Sequence, residues 1–120
     1  RIVRMDLPGP FAGAIWGGSF CMDHPMFRDL QGAPKEIFAG VAAVFSAPVS
    51  LSVNNSTERG NSMLVSGNAF EVFGLGPAAG RLLTPADDEK PGAHPVAVLS
   101  HAYWKRRFGG NPEVVGSTIY

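Results

Sequence analysis

The chain has 120 residues, and its 10 lysines and arginines balance 10 aspartates and glutamates, so its formal net charge is zero. This length fits one domain, and the balanced charge argues against the basic surface that non-specific nucleic-acid binding requires. Charged residues make up only 17%, while 15 glycines and 10 prolines indicate a folded domain rich in turns. The longest nearly continuous apolar run, Phe38–Phe45, is too short to span a membrane.

The first third of the chain predicts a short strand, a loop and a helix. Residues 2–5 are strand-like, and the prolines and glycines between residues 8 and 18 then favour a loop. Asp23 is placed to cap a helix that continues to Leu30 and stops at the following glycine. Residues 38–45 are apolar enough for either a buried strand or a short helix.

A β-hairpin is predicted in the middle of the chain. Val49–Val53 alternates apolar and polar residues, which is typical of a half-buried strand. Residues 54–57 supply turn residues, and Met63–Val65 forms the next apolar run. We therefore expect an antiparallel hairpin over residues 49–65 with a rather long loop.

Two helix starts follow the hairpin. Asn68 and Glu71 have the spacing of a capping box, and Gly74 can end this very short helix in a left-handed conformation. Thr84 can cap a second short helix, because a proline follows it and acidic residues fill the first turn. Pro91 limits that helix to about two turns.

The last quarter predicts a strand, a helix and a second strand. Pro95–Leu99 is compact and apolar, as in a buried strand. Ser100 can cap a helix over residues 101–108, whose last turn carries three cations that complement the helix dipole. Residues 114–120 favour a final strand. Together these elements predict an α+β fold with mixed or antiparallel strands and short helices.

No residue set has the spacing of a metal or thiol site. His24, His94 and His101 are scattered, and they lack the paired motifs that zinc sites use. Cys21 is the only cysteine, so it cannot form an internal disulfide, and a buried inert thiol is expected. We therefore expect no metal ligands, and we expect the histidines to be surface or capping residues.

The remaining candidate motifs are also better explained by structure than by chemistry. Residues 74–80 are rich in glycine, but their spacing matches no phosphate-binding loop, and Ser66 is not on a nucleophile elbow. Residues 87–89 are adjacent carboxylates, which favours a solvated helix start over an acid–base pair. Residues 104–107 mix an aromatic side chain with cations, but they do not form one stripe on a helix. The sequence thus predicts no catalytic residue, no cofactor and no enzyme.

Two blocks of the sequence stand out as a combination of motifs. The first is residues 64–74 followed by residues 77–85, and it contains Ser-Gly-Asn-Ala-Phe and Gly-Arg-Leu-Leu-Thr-Pro. The second is residues 95–112, with a predicted strand, an aromatic and basic helix, and a Gly-Gly-Asn-Pro turn. Together they resemble the MacB-like periplasmic core domain of ABC-transporter permeases, and most of all the acidobacterial-type permeases. The resemblance departs at Ala69, where relatives carry Tyr, and at residues 59–62, where a late start of the second hairpin strand is expected.

The resemblance implies that residues 1–120 are part of a longer periplasmic domain, without its later half and the transmembrane helices. Such a domain lies on the periplasmic side of the inner membrane and transmits ATP-driven helix motion to export or extraction. Its implied partners are the rest of the permease chain, an ABC ATPase, a periplasmic adaptor and a second permease. Trp104 and Phe108 are expected in the core. The alternative is a stand-alone soluble module that binds a ligand or a protein, with a pocket near residues 74–80.

Overall fold

The computed structural model describes residues 2–5, 22–53, 55–90, 92 and 94–120. The chain divides into two compact units, residues 1–43 and residues 44–120. Cys21 and the whole of the predicted loop at residues 8–18 lie outside the described residues. The described elements, in chain order, are helix α1 (His24–Gln31), strands β1 (Val44–Val53) and β2 (Ser56–Val65), helix α2 (Ala69–Phe73), a 3₁₀ turn (Pro85–Asp88), helix α3 (His101–Phe108) and a second 3₁₀ turn (Pro112–Val114).

The first unit contains α1, and its predicted cap is confirmed. The Asp23 carboxylate accepts a hydrogen bond from the Met26 N–H at 2.8 Å, which satisfies one of the free amides of the first turn. Phe27 is the buried residue of this helix. The helix ends at Gly32, whose N–H donates to the carbonyl of Arg28.

The second unit is built on an antiparallel hairpin of β1 and β2, in which Val53 pairs with Ser56 and Val44 with Val65. The predicted hairpin is confirmed, but its long loop is wrong, because only two residues connect the strands. Asn55 makes this turn possible with a φ of 60°, in the left-handed region that asparagine tolerates. Residues 59–62 therefore belong to β2, and the second strand does not start late.

The two faces of the hairpin differ in exposure, as the alternating pattern predicted. Val49, Leu51 and Val53 lie on a half-buried face, whereas the neighbouring Pro48 and Ser50 are exposed. A Cβ added to Gly60 would lie 3.5 Å from the Leu51 side chain, so this glycine packs closely against the half-buried face. The fold is thus α+β, with a two-stranded antiparallel sheet and short helices.

Helices α2 and α3 form where the sequence predicts them. Gly74 and Gly109 end the two helices with φ of 66° and 62°. Ser100 caps α3, because its hydroxyl oxygen accepts from the Tyr103 N–H at 3.2 Å. Asn68 makes no side-chain capping bond, so the capping box predicted for α2 is wrong. Its side-chain oxygen instead accepts the hydroxyl of Ser66 at 2.8 Å.

Several predicted strands are not strands in the structure. Residues 2–5 and 95–99 are irregular, and most of the apolar run 38–45 precedes β1 without regular structure. Residues 114–120 form part of a 3₁₀ turn and then an irregular segment. A strand needs a hydrogen-bonded neighbour, and the described sheet has only two strands. Residues 95–98 are accordingly exposed rather than buried.

Few apolar side chains are buried in either unit. Among the described residues, they are Phe27 and Val41 in the first unit and Ala69 in the second. Trp104 and Phe108 are half-buried, so their predicted place in the core is wrong, and α3 has no buried residue.

Candidate functional site

Helix α3 is attached to the end of the hairpin by Arg107. Its guanidinium donates hydrogen bonds to the carbonyl of Val53 at 3.3 Å and to the carbonyl of Ser56 at 3.4 Å. These two carbonyls stand on either side of the two-residue turn. One side chain of α3 therefore holds both strands at the point where they meet.

Glu58, Tyr103 and Arg106 lie beside Arg107 at this attachment. We call these four residues the hairpin–helix junction. The Glu58 carboxylate lies 3.7 Å from both guanidinium groups. Glu58 Oε1 and the Tyr103 hydroxyl are buried and have no partner in regular hydrogen-bond geometry among the described residues. The contact of this hydroxyl with Glu58, followed by burial, raises the pKa of Tyr103 above its usual 10.

The sequence predicted the basic last turn of α3 but not its partner. Arg106 and Arg107 lie in that turn, where they complement the helix dipole as expected. Both also reach Glu58, which the sequence did not single out. A local sequence pattern cannot predict this contact, because about fifty positions separate Glu58 from the two arginines and only the fold brings them together.

A second attachment joins the end of β2 to the 3₁₀ turn at Pro85–Asp88. The Asp88 carboxylate accepts a hydrogen bond from the Gly67 N–H at 3.0 Å. A Cβ on Gly67 would lie 2.5 Å from the Thr84 carbonyl oxygen, a distance that real Cβ atoms essentially never show. Gly67 is therefore required here because the two backbone segments approach so closely.

Asp87 holds the same turn together from the other side. Its carboxylate accepts two hydrogen bonds from the Arg81 guanidinium, at 2.7 and 2.8 Å, and further bonds from the N–H and hydroxyl of Thr84. The hydrogen bonds from Arg81, followed by the one from the Thr84 N–H, hold the pKa of Asp87 well below its usual value. The two carboxylates thus lie in the first turn, as expected, and they also accept hydrogen bonds that the sequence did not predict.

Each histidine lies at an exposed position of its own unit. His24 and His101 are exposed at the starts of α1 and α3, and His94 is exposed on the segment before Ser100. Among residues 2–5, 22–53, 55–90, 92 and 94–120, no group of three or more His, Cys, Asp or Glu could hold a metal ion.

The binding-module alternative expects a pocket near residues 74–80. Residues 74–80 are exposed throughout. A shallow open recess of about 340 Å³ lies instead on the hairpin, where Pro48, Val49, Ser50 and Arg59 line it. A recess open to solvent on an exposed sheet face offers little burial to a small ligand.

The sequence was compared with models of known protein families. A family model for the MacB-like periplasmic core domain matches residues 8–120. The chain belongs to this family. Searches of curated proteins and of solved structures found no match.

Membership fixes the broad role of the chain. A MacB-like periplasmic core domain is a periplasmic domain of an ABC-transporter permease, and such domains are generally not enzymes. In the described part of this chain, no helix has the length and apolar character needed to span a bilayer.

Proposed function

We propose that this MacB-like periplasmic core domain transmits movement of the permease's transmembrane helices, driven by ATP hydrolysis in the cytoplasm, to export or extraction in the periplasm. The domain performs no chemistry of its own. The family match over residues 8–120 is the observation that carries this proposal.

The two attachments in residues 44–120 support a mechanical role. Transmission of movement requires elements that shift together rather than deform separately. Arg107 fixes α3 to the hairpin turn, and Asp88 fixes the 3₁₀ turn to the end of β2. The second unit thereby has a hydrogen-bonded connection at each end of the hairpin.

The partners follow from the proposed role. The rest of the permease chain would continue this domain and supply its transmembrane helices, so that residues 1–120 form one part of a larger periplasmic domain. An ABC ATPase, fused or separate, would supply the energy. A periplasmic adaptor and a second permease in a dimer would complete the assembly in the inner membrane.

The reading frame on both sides of the chain tests the proposal directly. We expect one apolar stretch of about 20 residues before Arg1 and several such stretches after Tyr120, because a permease needs transmembrane helices. A frame that closes near both ends without such stretches would overturn the transporter role. The stand-alone binding module would then be the better explanation.

A further inference from the structure

Strand β1 has a second backbone partner besides β2. The Ser52 N–H donates to the carbonyl of Tyr120, and the Tyr120 N–H donates back to the carbonyl of Ser52 at 3.1 Å. Two residues that exchange both bonds form the hydrogen-bonded pair of an antiparallel ladder, whereas parallel strands distribute such bonds over different residues. Tyr120 therefore occupies the first position of an antiparallel neighbour on the outer edge of β1.

This pair fixes both the direction and the register of that neighbour. Strand β1 runs from Val44 to Val53, so an antiparallel strand that begins at Tyr120 runs back toward Val44. Because backbone groups alternate between the two edges of a strand, Ser50 and Ser46 direct their N–H and C=O groups to the same outer edge as Ser52.

The position of Pro48 agrees with an edge arranged in this way. Pro48 is four residues before Ser52, so its backbone nitrogen faces the same edge of β1 as that of Ser52. The N–H that proline lacks would therefore have pointed to the outer edge and not to β2. The β1–β2 ladder thus remains complete. An added strand receives donors from Ser52 and Ser50 but none from Pro48, so Pro48 weakens the ladder beyond Ser50.

We propose that the outer edge of β1 binds the stretch of permease chain that directly follows Tyr120, as a third antiparallel strand. The first residue past Tyr120 lies opposite Leu51, and the second lies opposite Ser50. The chain's own continuation fits better than a second molecule because Tyr120 is already in register, so extending the strand closes no new loop. A strand from another molecule would have to compete with Tyr120 at Ser52.

This inference rests on the proposed function in one respect, since the chain must continue past Tyr120. Disulfide cross-linking in the intact permease tests it, in a cysteine-free background that includes Cys21→Ser. Leu51→Cys is combined with a cysteine at the first residue past Tyr120. This is a non-hydrogen-bonded pair with Cα atoms about 4.5 Å apart, which a disulfide can bridge.

The matched control combines Leu51→Cys with a cysteine at the third residue past Tyr120, on the same face but two positions out of register. We expect the in-register pair to oxidise at least tenfold faster, within one polypeptide. Equal rates, a faster control, or cross-linking between two polypeptides would overturn the inference. In the permease without these cysteines, the Ser50 amide should resist hydrogen exchange, and exchange as fast as in exposed loops would contradict the third strand.

These outcomes separate the two proposals. A reading frame that ends near Tyr120 without transmembrane stretches contradicts both the proposed function and the third strand. A frame that continues into transmembrane helices, together with no preference for the in-register pair, removes the third strand alone.

Discussion

Replacing Arg107 with alanine should loosen the turn of the hairpin. The substitution removes two long hydrogen bonds, to the carbonyls of Val53 and Ser56, and the 3.7 Å ion pair with Glu58. It also leaves the buried Oε1 of Glu58 without its nearby guanidinium Nε.

The size of the effect follows from this geometry. The Arg107 and Glu58 side chains are each 28% exposed, so solvent screens their ion pair, which contributes at most about 1 kcal/mol. Two hydrogen bonds near the distance limit, from one shared nitrogen, add about 1 kcal/mol. Glu58 Oε1 has no hydrogen-bond partner in regular geometry among the described residues even with Arg107 present, so its loss is already counted in the ion pair. We therefore expect a local loss of about 1–2 kcal/mol.

Hydrogen exchange in the intact permease measures this loss. Since about 1.4 kcal/mol corresponds to tenfold, the amides around residues 55–58 should exchange about 5 to 30 times faster in Arg107→Ala. Arg106→Ala is the matched control, with the same charge change on the neighbouring residue. The Arg106 side chain is 67% exposed and makes no hydrogen bond to Val53 or Ser56, so its effect should stay below about fivefold. Equal effects of the two variants, or none from Arg107→Ala, would refute the proposed attachment.

Three further outcomes are expected from hydrogen exchange and thermal unfolding of the same protein. Ser100→Ala should destabilise α3 by about 1 kcal/mol, because the Tyr103 amide loses the hydroxyl that caps it. Ser50→Ala, on the exposed face of the hairpin, is the control and should leave the stability of α3 unchanged. The raised pKa of Tyr103 favours the neutral phenol in the folded state, so its contribution is complete below pH 10 and is lost as pH rises above 10. Tyr103→Phe should remove that part of the alkaline destabilisation, and an unchanged pH profile would contradict the contact with Glu58. The lowered pKa of Asp87 gives a contribution that is present above its usual value near 4 and lost as pH falls below it. Asp87→Asn should therefore speed hydrogen exchange of the Thr84 amide at pH 7, and this difference should shrink steadily as pH falls below about 4 toward the lowered folded-state pKa of Asp87. A difference that does not depend on pH would contradict this account.

Local signals in the sequence predicted the elements whose ends are fixed by one or two residues. Asp23 and Ser100 each accept a hydrogen bond from the backbone amide three residues further on, and Gly74 and Gly109 adopt left-handed conformations at helix ends. Such features depend on short chain segments, so their residue types suffice to predict them.

Features that depend on distant segments were not predictable in this way. The run 95–99 has the composition of a buried strand, but no described strand pairs with it, and it stays irregular. The predicted long loop at residues 54–57 was also wrong. Asn55 adopts a left-handed conformation, so Ser56 and Thr57 already pair with β1 and only two residues form the turn. The contact of Arg107 with the hairpin turn joins residues about fifty positions apart, and neither partner carries a motif.

Spin-label distances in the assembled transporter test the central claim most directly. Labels on the exposed positions Thr57 and His101 report the distance between hairpin and α3, and Thr57 labels in the two permeases of a dimer report movement of the whole unit. With ATP bound and then hydrolysed, we expect the first distance to stay constant while the second changes. If the second distance does not change with the nucleotide state, or if the first changes as much as the second, the domain does not transmit movement as a rigid unit.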